Sequence, residues 1–298
     1  MKLNKNLVGH LLALITIIIW GTTFISTKVL LKDFNPIEIL FYRFIIGFFA
    51  LIIIYPHRLK ISTRKHEWLF AGAGLCGITL YYLLENIALT YSTASNVGVL
   101  VSISPFFIAI CVHWFLKDEK LKSNFFLGFL IAIIGIFFIS FNGSVNLKLN
   151  PLGDVLAILA AAVWGFYSVL TRKISNYGYN TIQSTRRMFF YGILFMMVSL
   201  LFSDFHFDAK LILKPVNLFN IVFLGLAASA LCFVTWNYAV KLMGAVKTSI
   251  YIYIIPIVTV VTSMIVLHEK LTWMIAVGTI LTLSGLFISE RKTTLVKK

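Results

Sequence analysis

Carboxylates are scarce in this chain. Only eleven Asp and Glu occur among 298 residues, and charged residues of both signs reach 12%. Soluble domains carry about 25%, so this chain cannot cover a water-facing surface. Cysteine is scarce too. Cys76, Cys111 and Cys232 all lie inside apolar runs, make no metal spacing and predict no disulfide. There is no H-E-x-x-H, no G-x-S-x-G and no intramembrane aspartate pair, which argues against a membrane enzyme. No G-x-x-x-x-G-K-S/T occurs, so nucleotide-driven work is not expected, nor is a cofactor or metal. A channel would want rings of charge or a carbonyl filter, and neither is visible. The links between apolar runs are too short to hold a protein partner, which disfavours a receptor or scaffold.

What is present is apolar. Hydrophobic residues make up 59% of the chain, with a mean hydropathy of +0.92. Runs of about 20 apolar residues recur, each long enough to cross a bilayer core of about 30 Å. Backbone groups in lipid must be satisfied within their own segment, so the spans are helices. The expected fold is all-α, a polytopic membrane protein of ten transmembrane helices near 8–29, 36–55, 68–90, 95–115, 123–141, 152–171, 181–202, 218–240, 246–267 and 271–289. The first run is too long for a signal-peptide core and lacks a small-residue cleavage pattern, so it is expected to stay as a span.

The net charge of +15 does not point to nucleic acid, because the basic residues sit in short links. With the N-terminus inside, seventeen Lys and Arg fall in inner segments and six in outer ones. That bias predicts both termini in the cytoplasm of a cell (inner or plasma) membrane protein.

The chain repeats itself. Tyr81 to Leu121 is echoed by Cys232 to Leu271: Asn86 answers to Asn237, Ala88 to Ala239, Ala94 to Ala245 and Pro105 to Pro256. Glu119-Lys120-Leu121 answers to Glu269-Lys270-Leu271 with a slip of one. Trp20-Gly21 matches Trp164-Gly165, Arg43 matches Arg187, and Gly128 and Gly135 match Gly278 and Gly285. The expected units are residues 1–145 and 150–298, five helices each. Five is odd, so the second unit must enter the membrane inverted. Inverted repeats are an architecture of secondary transporters, with the solute site between halves near the midplane.

The early W-G of each half, the N-x-A element, the central proline and the following E-K-L together resemble the EamA-type family of the drug/metabolite transporter superfamily. The resemblance covers nearly the whole chain. It implies a ten-helix carrier with a cavity lined by helices 1, 3, 4, 6, 8 and 9. It also implies export of amino acids or other small metabolites, often driven by protons. Multidrug or organic-cation efflux is the alternative.

Ionisable groups inside a bilayer cost about 3 kcal/mol on insertion scales and default to functional candidates. Glu85 lies about six residues from the outer end of helix 3, roughly 9 Å in at 1.5 Å per residue. Arg43 in helix 2 has a similar depth. Either the two form a fixed ion pair, or Glu85 exchanges a proton or a solute amine. Aromatic and polar residues at mid-helix are the cavity candidates: Trp20 and Thr23, Tyr81 and Tyr82, Ser102, Trp164 and Tyr167, Trp236, Tyr251 and Tyr253. Such side chains suit an amphipathic organic solute, although they equally fill helix contacts. Asn86 and Asn237 read first as interhelical glue. Pro105 and Pro256 kink helices 4 and 9, as hinges or static bends. Glu119 and Glu269 complement helix dipoles, and Arg186 and Arg187 snorkel to headgroups. The glycines of helices 5 and 10 lie on one face and permit close packing. The expected partners are a small-molecule substrate and the lipid bilayer, with proton coupling, no nucleic acid and a monomeric state.

Overall fold

The computed structural model describes residues 5–116, 123–141, 151–201, 205, 207–268, 270 and 272–290. Glu119, Glu269, His206 and the lysines and arginines at both termini except Lys5 lie outside the described residues, as does the 117–122 link. The described residues form helices and links, with no strand. Ten helices are long: α1 (Lys5–Leu30), α2 (Pro36–Ile54), α3 (Arg64–Tyr91), α4 (Ala94–Phe115), α5 (Ser123–Phe141), α6 (Pro151–Asn176), α7 (Thr181–Leu200), α8 (Pro215–Met243), α9 (Ala245–Val266) and α10 (Trp273–Glu290). A short turn of helix, Ala209–Leu213, precedes α8. Seven of the ten, namely α1 to α4, α6, α8 and α9, are long and apolar enough to cross a membrane by length and composition. α5 and α10 contain shorter apolar stretches, Phe126–Ile139 and Trp273–Gly285. The polar start of α7, through Arg186 and Arg187, dilutes its apolar remainder. The count of ten crossings therefore differs from the seven helices that satisfy length and composition.

Local chemistry sets the boundaries. Pro36 opens α2 behind Asn35, whose backbone N–H donates to Glu38 Oε2 at 2.8 Å. Thr93 Oγ1 accepts from Asn96 N and starts α4. Asn180 Oδ1 accepts from Ile182 N and Gln183 N and starts α7. Gly244 alone separates α8 from α9, at φ +95°, a conformation that strains any residue with a Cβ.

Two irregularities recur at matching places. α3 is π-helical over Leu75–Leu80 and α8 over Phe223–Leu231. The offset that relates Asn86 to Asn237 carries 75–80 onto 226–231. α4 breaks at Ser102-Ile103, and α9 runs through a tighter 3₁₀ stretch at Ile250–Ile254. Pro105 and Pro256 then lie in the first turn of the restarted α-segments, where a missing N–H costs nothing. The mid-helix kink expected in α4 is thus a break followed by a new helix start, and in α9 it is a tightened 3₁₀ stretch followed by one.

The packing pairs are also duplicated. α1 packs on α8 as α6 packs on α3, α1 on α9 as α6 on α4, and α2 on α8 as α7 on α3. α2 meets α7, α4 meets α9 and α5 meets α10. Exchanging α1–α5 for α6–α10 leaves this set of pairs unchanged.

α5 and α10 approach to backbone contact. A Cβ on Gly135 would lie 2.5 Å from the Gly278 carbonyl oxygen, and one on Gly285 would lie 2.4 Å from that of Gly128. Small residues that bring backbones together are the usual glue where no water drives association.

Cationic side chains close helix ends. Lys28 on α1 donates to the carbonyls of Leu89 and Ser92 at the end of α3. Its repeat counterpart, Arg172 on α6, donates to Val240 O at 3.3 Å near the end of α8. Lys28 satisfies carbonyls at a helix C-terminus, whereas Val240 O also accepts from Gly244 N at 2.9 Å, so Arg172 adds a second donor there. Arg186 donates to Tyr55 O at 2.6 Å and His57 O at 2.5 Å, past the end of α2. Arg187 pairs with Glu67, which also accepts from the Tyr191 hydroxyl. Both arginines are thus tied to protein groups, beyond the headgroup contacts expected of them.

Asp33, in the α1–α2 link, accepts from Asn217 Nδ2 at 2.7 Å and pairs with Lys214 Nζ at 3.1 Å. The Asn217 hydrogen bond first, then Lys214, holds its carboxyl below the ordinary value. A carboxyl lowered by folding contributes stability above its unfolded pKa and loses it as pH falls through the folded one. The tie is therefore complete at neutral pH and released below about pH 4. Asp33→Asn is expected to lower thermal stability slightly at neutral pH, with the difference closing in acid and in high salt. A deficit that persists in acid would refute the assignment.

Candidate functional site

Four helices bring their aromatic residues to one place at the centre of the fold. Trp20 from α1 stands at the middle. Its ring centroid lies 5.4 Å from Trp164 of α6, 5.2 Å from Trp236 of α8 and 5.6 Å from Phe233 of α8. Tyr81 of α3 lies 4.7 Å from Trp164, and Tyr82 lies 4.8 Å from Tyr81. Edge-to-face and tilted pairs at such separations add about 1 kcal/mol each beyond burial. The Trp20 indole donates to Ala228 O at 2.9 Å, a carbonyl within the π-helical stretch of α8. Irregular turns leave backbone groups for side chains to satisfy, and here a tryptophan does so.

A cavity opens beside this cluster, lined by Trp20, Thr23, Tyr81, Tyr82, Glu85 and Trp164 among the sequence candidates. Phe24, Val101, Ser104, Ile252 and Ile255 complete it. Its volume is about 20 Å³, room for roughly one water. The rings close around the centre, and a solute of ordinary size requires the helices to part.

Glu85 is the acidic group of this cavity and is 1% exposed. Its Oε1 is buried with no hydrogen-bond partner. Tyr81, one turn earlier on α3, lines the cavity beside it. Arg43 is also fully buried, but it forms no ion pair with Glu85. Its guanidinium lies 4.3 Å from the Tyr82 ring centroid, a cation–π contact, and its Nε donates to Ser229 Oγ at 3.0 Å. Both terminal nitrogens of Arg43 are buried and unpartnered. In place of the fixed pair, one of the two alternatives, stand two groups that share Tyr82 as neighbour, each with an unpartnered atom. A buried charged group without a partner is costly: the Glu85 oxygen can still accept a hydrogen bond or take a proton, and the two Arg43 nitrogens can still donate.

Other candidates go elsewhere. Asn86 donates to Pro36 O at 3.1 Å, tying α3 to the start of α2. Asn237 accepts from the Tyr167 hydroxyl at 3.0 Å and donates to Thr185 Oγ1 at 3.1 Å, tying α8 to α6 and α7. Tyr167 thus serves this tie. Trp236 stacks on Trp20 behind the cavity wall, its Nε1 buried and unpartnered. Ser102 donates back to Val99 O at 2.5 Å, Tyr251 meets His10 Nδ1 at 2.7 Å, and Tyr253 is buried outside the lining. In α4 a break, and in α9 a 3₁₀ stretch, set which side chains line this cavity. A 3₁₀ turn advances 120° per residue against 100° for an α-turn, so Ser104, Ile252 and Ile255 face the cavity in place of Ser102, Tyr251 and Tyr253. Phe24 was within reach of sequence reading, four residues after Trp20 on the same face.

A family model described as the EamA-like transporter family matches residues 7–141 and again residues 151–290. An uncharacterized transporter of Archaeoglobus fulgidus is 28% identical over 288 residues, covering 95% of this chain and 97% of its own. The uncharacterized transporter YyaM of Bacillus subtilis is 27% identical, covering 87% of this chain and 86% of its own. One solved crystal structure superposes with a TM-score of 0.70 over 95% of this chain and 96% of its own, at 17% identity, which speaks for the fold alone. With both halves matched, the chain is a multi-pass membrane transporter that belongs to the EamA-like transporter family.

Proposed function

We propose that this transporter is a secondary active carrier that exports amino acids or related small metabolites by alternating access. The observation that carries the reading is Glu85: a buried carboxylate with an unpartnered oxygen, in a cavity walled by Trp20, Tyr81, Tyr82 and Trp164. An ammonium group on the solute supplies the missing partner in one state, and a proton supplies it in the other. Exchange between the two couples export to the proton gradient. The unpartnered Arg43 nitrogens beside Tyr82 favour a solute that also carries a carboxylate. The aromatic walls alone would suit an organic cation, which is the second reading.

The exchangeable packing pairs support two inverted five-helix units, residues 1–145 and 150–298, with ten crossings in all. α4 bends at the break before Pro105, and α9 at the 3₁₀ stretch before Pro256, as the units rock. By the lysine and arginine bias both termini face the cytoplasm of the cell membrane, and the carrier works as a monomer.

Proteoliposome counterflow with a panel of amino acids and amines, under an imposed pH gradient, tests the reading. Amino acids are expected to exchange, faster with the gradient than without. Exchange of amines alone transfers the assignment to organic-cation efflux. A pH-insensitive rate removes the coupling.

A further inference from the structure

We infer that a groove between the end of α2 and the start of α7 binds an anionic phospholipid. It lies far from the central cavity in the fold and encloses about 490 Å³. Both helix ends lie on the membrane side that holds the start of α1, because α1 and α2 are successive antiparallel spans.

The polar rim is cationic. Arg58, Arg186, Arg187 and Gln183 line it. Arg187 is neutralised by Glu67. Arg186 is fixed by the carbonyls of Tyr55 and His57, which are neutral, so its orientation is set while its charge stays uncompensated. Arg58 is exposed, and neither it nor Arg186 has a carboxylate within ion-pair distance among the described residues. The rim thus offers about two free positive charges, one pre-oriented.

The other wall is apolar. Phe48 and Phe190 line it, with ring centroids 6.5 Å apart. It runs into the outer faces of both helices, where Phe49 and Ile53 of α2 and Leu194 and Met197 of α7 are exposed. A soluble anion would use the rim and leave the phenylalanines idle. A phospholipid uses both, its phosphate on the arginines and its acyl chains along the aromatic wall. Basic pockets between spans at the membrane surface have the chemistry for such headgroups.

The test is native mass spectrometry of the full-length protein released from bilayers of phosphatidylcholine mixed with phosphatidylglycerol. Retention of phosphatidylglycerol over phosphatidylcholine is expected. Arg58→Ala should lower that retention about fivefold, the value of one surface charge near an anionic lipid. Arg58 is exposed and outside every helix, so the variant keeps the fold. Lys65→Ala, exposed at the start of α3 but outside the groove, should change nothing. Equal retention of the two lipids overturns the inference, as does an unchanged Arg58→Ala. An equal loss in Lys65→Ala assigns the effect to a diffuse field, and displacement by inorganic phosphate assigns the rim to a soluble anion; either result also overturns it.

Discussion

Glu85→Gln is expected to leave a folded, membrane-inserted protein that no longer couples solute movement to pH. Glutamine keeps the volume and one carbonyl oxygen, so the contacts with Tyr81 and the cavity wall survive. What disappears is the negative charge. A hydrogen bond to a charged group contributes about 2–3 kcal/mol, so removing it from a bound ammonium should slow exchange by about 100-fold. Counterflow should also lose its response to an imposed pH gradient, because no carboxylate remains to carry the proton. Size-exclusion profile and melting temperature in detergent serve as the folding control. Unchanged, pH-sensitive exchange by Glu85→Gln would remove Glu85 from the mechanism. Arg43→Met gives the complement. If Arg43 holds the solute carboxylate, this variant loses amino acids and keeps amines; equal loss of both would make Arg43 a support for Tyr82 alone.

The second large effect belongs to the crossing of α5 and α10. Gly135→Leu places a branched side chain where a Cβ alone would stand 2.5 Å from the Gly278 carbonyl and from the backbone nitrogen of Thr282. Backbone atoms cannot rotate aside as a side chain can. The helices must separate, which removes the close packing that holds them. Overpacking costs about 1–3 kcal/mol where neighbours can adjust, and here it should exceed that range. The expected result is a sharply lower melting temperature in detergent or failure to accumulate in the membrane. Gly72→Ala is the control, since its added carbon meets only the Leu170 methyls, at 3.3 and 3.9 Å, and should be tolerated. Comparable stability for Gly135→Leu and Gly72→Ala would show that the crossing is not tight in the membrane.

The two predictions draw on different parts of the molecule. The α5–α10 pair is packed backbone to backbone. The central cluster is held by rings and by side-chain bonds such as Trp20 to Ala228 O, contacts that can be exchanged without unfolding a helix. The break before Pro105 and the 3₁₀ stretch before Pro256 sit next to that cluster. A fold that alternates between two states needs this division, because rigid units must move about contacts weak enough to exchange.

The sequence by itself determined the all-helical membrane character and the duplication, and it singled out Glu85 as an ionisable group inside a span. Those follow from composition and from spacing along one chain, and from the cost of an ionisable group in lipid, none of which needs a partner helix. It also marked the α5 and α10 glycines, since a seven-residue interval stays on one face of any helix. Tertiary structure alone decided that Arg43 rests on Tyr82 instead of pairing with Glu85, which groups Asn86 and Asn237 bond as the interhelical ties their sequence suggested, and that Tyr167 joins one of those ties. It decided too that Ser104, Ile252 and Ile255 face the cavity. The physical reason is that a side chain's partner is set by how helices cross and by where a 3₁₀ or π turn rotates the face they present. A periodicity of 3.6 residues carries no record of either.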